Sequence, residues 1–309
     1  MSVAYRRAGD APAVKRALVA AAGLLALVIF AGPLAMLFGR ALALGWPVYL
    51  QKISEPLTLH AAWLTALASL IVVPINTLFG VCAAWLITRH RFRGRGALAT
   101  LIELPVSVSP IVAGVAYLFL YGSQGVLGPV LAEHGWRVMF TVPAIFLASL
   151  FVTAPYVARE LITAMQTHAQ DDEEAALTLG ATGLATFLRV TLPNIRWALF
   201  YGVLICNARV MGEFGAVSVV SGKIRGKTET LPLHIEVLFN DYNATGAFAA
   251  STLLALLALV TLAARSVIEW RERLADEGRQ VGGLGLADAA VDVQPDQQLG
   301  AGVRGPHLA

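Results

Sequence analysis

Charged residues are scarce in this chain. Asp, Glu, Lys and Arg make up 14% of its 309 residues, whereas 57% are hydrophobic and the mean hydropathy is +0.68. In soluble globular domains about a quarter of the residues are charged. The composition therefore excludes a soluble globular domain and predicts a polytopic membrane protein.

The sequence also lacks the residue patterns on which most enzyme sites depend. Its two cysteines, Cys82 and Cys206, lie inside apolar stretches, and its six histidines are scattered at spacings that suit no metal site. The pattern that holds nucleotide phosphates, Gly followed by any four residues and then Gly-Lys-Ser or Gly-Lys-Thr, is absent. We therefore expect no catalytic residue, no metal and no cofactor in this chain.

Six apolar stretches are long enough to cross a membrane, which takes about 20 residues as a helix. Lipid offers no partner for unpaired backbone groups, and these stretches are too long for barrel strands, so each predicts a helix. The expected fold is all-α, with both termini on the same side of the membrane. The stretches are residues 17–39, 61–88, 98–121, 138–158, 195–220 and 244–264.

The predicted organisation is a short N-terminal segment, 1–16, a six-helix domain, 17–268, and a disordered tail, 269–309, rich in Gly, Ala, Asp and Gln. The domain contains a long polar loop, 159–196. A cleaved signal peptide is the alternative for the first stretch, because Ala41-Leu42-Ala43 follows it. Its apolar run exceeds the roughly 7 to 15 residues of such a peptide, so we interpret it as a spanning helix.

Lysine and arginine are distributed unequally between the two sides of this topology. Of the 23 in the chain, 16 lie in the termini and in the second and fourth connections, six lie in the other connections, and Arg209 lies within a helix. Cytoplasmic loops carry the excess of positive residues in membrane proteins. Both termini and the polar loop 159–196 are therefore predicted to be cytoplasmic.

The polar loop predicts a helix-turn-helix knob. Good helix formers run from Gln170 to Leu179, with carboxylates in the first turn, and Gly180 is expected to end this helix. Thr182 is a suitable cap for a second short helix, Leu184 to Val190, which Pro193 would end. Small and apolar side chains on the knob suit docking of a partner protein. An amphipathic hairpin at the membrane surface is the alternative.

Four elements of this loop stand at fixed spacing: Glu174-Ala175-Ala176, then Gly180, then Val190, then Leu192-Pro193. They resemble the cytoplasmic signature of the permease subunits of bacterial ABC importers, which usually has Ile in place of Val190. The resemblance implies the ABC type I importer permease fold and makes 159–196 a cytoplasmic coupling loop. It also implies two separate ATP-binding subunits, which hold the ATP and Mg and dock on these seven residues.

The fifth stretch carries ionisable residues inside an apolar run. Arg209 and Glu213 stand four apart, hence on one helix face, and burying such groups in lipid costs about 2.5 to 3.5 kcal/mol each. A structural ion pair and a role lining an anion pathway both remain open. In the third stretch, Pro105 and Pro110 interrupt regular helix, so Ser107 and Ser109 are further candidates for the pathway.

The segment from Arg209 to Gly226 resembles one group within this family, the permeases of oxyanion importers. With Thr230-Leu231-Pro232-Leu233 and Asp241-Tyr242-Asn243, it is most similar to the W-type permeases of sulfate/thiosulfate importers. This implies a multi-pass protein of the bacterial cytoplasmic membrane, in contact with lipid, that pairs with a second, homologous permease and receives its anion from an extracytoplasmic binding protein. A nucleic-acid partner is not expected.

Three cations in the last outer connection, Lys223, Arg225 and Lys227, are candidate contacts for the anion or for an acidic binding protein. A solvated basic loop is the alternative. Three other functions also remain open: a molybdate/tungstate importer permease, a secondary transporter or channel that works without an ATPase, and a membrane scaffold that moves no solute.

Overall fold

The computed structural model describes residues 12–167, 171–261, 263 and 266–267. The chain divides into two compact units, Met1–Thr261 and Leu262–Ala309. The first holds every helix discussed below. Of the second, only residues 263, 266 and 267 are described, so the predicted tail 269–309 lies outside the described residues.

The described part of the chain contains helices and no strand, which confirms the predicted all-α fold. Two π-helical turns, Leu27–Ala31 and Phe187–Thr191, each sit between two α-helices without interrupting the helical path. In chain order the α-helices are α1 Pro12–Ala26, α2 Gly32–Leu42, α3 Trp46–Ile53, α4 Pro56–Arg89, α5 Arg95–Ser107, α6 Pro110–Tyr121, α7 Gly128–Glu133, α8 Val142–Thr167, α9 Asp171–Thr178, α10 Gly183–Thr186, α11 Leu192–Met211, α12 Gly215–Val220, α13 Leu231–Asn240 and α14 Ala244–Thr261.

Five helical segments of the described chain are long and apolar enough to span a membrane. They are Val14–Leu42, Pro56–Arg89, Val142–Thr167, Gly183–Val220 and Ala244–Thr261. A sixth span forms when α5 and α6 are counted together, which brings the number to the six that the sequence predicts.

The third predicted span, 98–121, is not a single helix. It is divided into α5 and α6, which meet at an angle of 109°. Ser109 adopts φ −57° and ψ 132°, outside the helical region, because the ring of Pro110 disfavours the helical conformation in the residue before it. Pro105 does not interrupt the helix: it lies within α5, and it is buried.

The core lies between α4, α8 and α11. Buried apolar side chains from all three helices meet there, among them Val72, Val157 and Cys206. Polar side chains also cross between the helices: Asn76 Nδ2 of α4 donates to Thr153 Oγ1 of α8 at 2.8 Å. Such paired polar groups hold spanning helices together without exposing a donor to lipid.

Helices α4 and α8 approach each other closely at Gly80. A Cβ placed on Gly80 would stand 2.8 Å from Val157 Cγ1 and 2.9 Å from the Ala158 nitrogen, both on α8. These distances are shorter than ordinary van der Waals contact, so any larger residue must push the two helices apart.

We therefore expect Gly80→Val to destabilise the protein by about 1 to 3 kcal/mol, the usual cost of overpacking a core. The measurement is the thermal unfolding midpoint of the purified protein in detergent. Gly23→Val in α1 is the matched control, because a Cβ there meets nothing within 4 Å. Equal midpoints for the two variants would contradict the prediction.

The first span has little contact with this core. None of the residues in its most apolar window is buried, and among its described side chains only Ala41, near the end of α2, is buried. Just beyond it, the hydroxyls of Tyr49 and Thr252 form a hydrogen bond of 2.8 Å, which ties α3 to α14. Most of the first span therefore presents its surface to lipid or to another protein.

Candidate functional site

The knob predicted from the polar loop is present. Helix α9 ends at Thr178, and Gly180 follows with φ +89°, a left-handed conformation that suits glycine. The Gly180 amide donates to the Leu177 carbonyl and the Ala181 amide to the Ala176 carbonyl, each at 3.0 Å. This pair of bonds is the Schellman arrangement that satisfies the last carbonyls of a helix.

The second half of the knob is longer than the sequence predicts. Thr182 caps α10 as expected, since its Oγ1 accepts a bond from the Ala185 amide at 3.3 Å. The predicted end of this helix at Pro193 is wrong, because the chain continues as helix through a π-helical turn into α11. The Leu192 amide bonds back to Phe187, one residue further than in an α-helix, and Pro193, which has no amide hydrogen, follows at once.

The knob exposes leucine side chains on a polar segment. Leu179 is 89% exposed, and three more leucines are at least half exposed. Of the seven coupling candidates, Glu174, Ala175, Gly180 and Pro193 are exposed, and Ala176, Val190 and Leu192 are half-buried. An apolar surface of this kind, bordered by carboxylates, is typical of a protein docking site. The further exposed leucines are Leu177, Leu184 and Leu188.

The ion pair that anchors the knob involves Glu173, which the sequence analysis did not single out. Arg89, the last residue of α4, donates from Nε and Nη2 to the two carboxylate oxygens of Glu173 at 2.7 and 2.9 Å. Four carboxylates fill the first turn of α9, and nothing in their order distinguishes the one that faces α4. The available signal was an arginine at the end of another spanning helix, α4.

An open cavity of about 290 Å³ lies beside this ion pair, lined by both knob helices and the end of α4. On one wall the rings of Trp85 and Phe187 pack with their centroids 5.1 Å apart. Glu174 and Leu177, which are exposed, also line the cavity. The cavity therefore opens between the exposed face of the knob and the body of the protein.

Two helix breaks meet on the other side of the core. The break between α5 and α6 packs against the break between α11 and α12: a Cβ on Gly215 would stand 2.8 Å from Pro110 Cβ, and one on Gly114 would stand 2.9 Å from the Ala216 carbonyl oxygen. The pathway candidates Ser107 and Ser109 flank the first break, and both are exposed.

Arg209 and Glu213 form an ion pair across the second break. Arg209 Nη1 lies 3.0 Å from Glu213 Oε2, and Arg209 Nε donates to the Tyr156 hydroxyl at 3.3 Å. Glu213 is buried, and its Oε1 accepts a bond from the Ala216 amide at 3.0 Å, in the first turn of α12. The pair thus holds the two helix ends together, while the Arg209 side chain is 33% exposed.

Two of the three cations in the loop predicted to be extracytoplasmic are paired. Lys223 Nζ lies 2.7 and 2.9 Å from the carboxylate oxygens of Glu236, and Arg225 pairs with Asp241. Lys227 is exposed and has no ion-pair partner within the described residues. These pairs reduce the positive charge available to an anion or an acidic partner at this loop.

The knob, the apolar spans and the broken helices together define a membrane-spanning protein with an exposed docking surface. The family model for the binding-protein-dependent transport system inner membrane component matches residues 76–273, and the chain belongs to that family.

The relatives narrow the comparison within this family. The chain is 52% identical to the sulfate transport system permease protein CysW of Escherichia coli (strain K12), over 77% of this chain and 82% of that protein. It is 36% identical to the sulfate transport system permease protein CysT of Salmonella typhimurium, over 75% of this chain and 86% of that protein. The resemblance to W-type sulfate permeases predicted from the sequence is therefore confirmed.

A solved structure shares the fold. It is the bacterial alginate ABC transporter in complex with an alginate pentasaccharide-bound periplasmic protein. A chain of that transporter superposes with a TM-score of 0.70 and 20% identity, covering 84% of this chain and 94% of the other. The ABC type I importer permease fold expected from the sequence is confirmed.

Proposed function

We propose that this chain is one permease subunit of an ATP-driven importer that carries sulfate or thiosulfate across the bacterial inner membrane. The observation that supports this substrate most directly is the 52% identity to a sulfate permease over 77% of the chain. The exposed knob supports the coupling of transport to a separate ATPase.

The proposed orientation places the knob and both termini in the cytoplasm. The excess of lysine and arginine on that side supports it. Two ATP-binding subunits dock on the exposed leucines of the knob and supply the ATP and Mg that this chain has no sequence motif to hold. The opposite face receives the anion from an extracytoplasmic binding protein.

The proposed assembly contains a second, homologous permease. Similarity to both a W-type and a T-type sulfate permease supports a pair of different subunits. The uncovered first span, Val14–Leu42, supports a partner or lipid at that surface. In this assembly Arg209, Glu213, Ser107 and Ser109 are candidates for the anion path, and Lys223, Arg225 and Lys227 for the outer surface.

The experiment that tests the substrate is uptake of radiolabelled sulfate by cells that lack this gene, with and without a restored copy. We expect uptake to be lost without the gene, restored with it, and blocked by unlabelled thiosulfate better than by molybdate. Lost molybdate uptake with unchanged sulfate uptake would assign a molybdate importer. Unchanged uptake of both anions would contradict the proposal and favour a scaffold.

A further inference from the structure

Helix α9 has few attachments to the rest of the protein. It contains no buried residue, and its packing contacts are with α10 and the π-helical turn Phe187–Thr191. Among the described residues, its side chains reach other parts of the chain through Glu173 and, at 3.5 Å and exposed, through Asp172. Apart from the chain connections at its two ends, these few contacts are where a force applied to α9 reaches the rest of the described chain.

Glu173 contacts the ends of two spanning helices directly. One carboxylate oxygen accepts from Arg89 Nη2 at 2.9 Å and from Thr191 Oγ1 at 2.9 Å, and the other accepts from Arg89 Nε at 2.7 Å. Arg89 ends α4, and Thr191 immediately precedes α11. The carboxylate therefore joins α9 to both helices at once.

Arg89 adds a third helix to the same cluster. Its Nη1 donates to the Met165 carbonyl in the last turn of α8 at 3.1 Å. The Arg89 and Glu173 side chains are only 11% and 14% exposed. A two-bond arginine–carboxylate pair shielded from water in this way holds its geometry better than an exposed pair does.

We propose that the Arg89–Glu173 ion pair is the positioning element that carries the movement of α9 into α4, α8 and α11. These three helices form the core, and α11 continues toward the Arg209–Glu213 pair at the second helix break. The inference rests on the proposed function, because it assigns the route by which ATPase closure reaches the pathway. It predicts that breaking the pair lowers the amount of anion imported per ATP hydrolysed.

The experiment uses the complete importer, with its binding protein, in proteoliposomes that report sulfate uptake and ATP hydrolysis together. We expect Glu173→Gln to lower the ratio of sulfate imported to ATP hydrolysed by about fivefold or more, the usual size of a coupling between distant sites. Thr191→Val, which keeps both charges and nearly the same side-chain size, is expected to lower it less. The exchange Arg89→Glu with Glu173→Arg is expected to restore part of the loss.

The controls are Asp171→Asn on α9 and Arg91→Gln just after α4. Both residues are exposed, and their substitutions remove one negative and one positive charge close to the Arg89–Glu173 pair. A structural role alone would lower the yield of assembled complex and leave the ratio unchanged. An unchanged ratio in assembled Glu173→Gln would overturn the proposal. If Glu173→Gln does not assemble, an unchanged ratio in assembled Thr191→Val would overturn it, because the proposal expects a lower one.

A second readout separates this proposal from the assignment of sulfate. Ser107→Cys, in a protein whose native cysteines are replaced, reports access to the first helix break through its rate of reaction with a thiol reagent. We expect ATP to change that rate in the otherwise unaltered complex and not in Glu173→Gln. An equal change in both would overturn the proposal. If ATP changes the rate as expected but the complex that keeps Ser107 imports no sulfate, only the proposed substrate is contradicted.

Discussion

Glu213→Ala is expected to abolish transport and to destabilise the protein by about 3 kcal/mol. Removing one partner of a buried ion pair costs about 3 to 5 kcal/mol, and the low end applies because Arg209 is 33% exposed. The same substitution leaves the Ala216 amide without its acceptor at the start of α12. Both effects act at the place where the two helix breaks pack together.

The measurement combines the unfolding midpoint of the purified complex with uptake by the same preparation. Glu213→Gln is the informative second variant, because its amide oxygen can still accept from the Ala216 amide while its charge is gone. A stable Glu213→Gln complex that imports no anion would support a role for the charge in the path. Normal uptake and an unchanged midpoint in Glu213→Ala would contradict both roles.

Leu179→Asp is expected to prevent the ATPase subunits from docking without disturbing the permease. The side chain is 89% exposed, so the substitution removes no internal contact. If Leu179 is a central anchor, its loss weakens the complex by about 2 kcal/mol or more, which is roughly thirtyfold in affinity. A carboxylate that is buried at this contact without a partner adds to that cost.

Titration of purified ATPase subunits onto the permease in nanodiscs measures the effect. Leu179→Met is the matched control, since it keeps an apolar side chain of similar size, and we expect it to bind like the unaltered protein. Equal affinity of Leu179→Asp and Leu179→Met would place the docking surface elsewhere on the chain. An altered unfolding midpoint in Leu179→Asp alone would instead indicate that Leu179 supports the permease itself.

The features that follow from local chemistry could be predicted from the sequence. The spans could be predicted because a helix that crosses lipid must be long and apolar. The end of α9 at Gly180 could be predicted because few other residues adopt a left-handed conformation without strain. The Arg209–Glu213 ion pair was one of two interpretations that the sequence left open, since residues four apart share a helix face. The candidate docking residues came from the spacing of the family signature.

The features that depend on packing could not be predicted in this way. Both Pro105 and Pro110 lie in an apolar stretch, yet the chain bends only at Pro110, where α6 starts against α12. Glu213 can accept from the Ala216 amide because the helix is interrupted between α11 and α12, and at that interruption Gly215 packs against Pro110 of the α5–α6 break. Glu173 differs from its acidic neighbours only by facing Arg89, which is 84 positions away along the chain.

The π-helical turn at Phe187–Thr191 determines the rotational phase of the knob relative to the membrane-spanning part of α11. Successive residues of an α-helix are rotated by about 100°, so the additional residue in a wide turn moves every later side chain around the helix axis by that amount. The orientation of the knob relative to the side chains of α11, Arg209 among them, thus depends on one residue. The length of this segment, as much as its composition, determines which way the docking surface points.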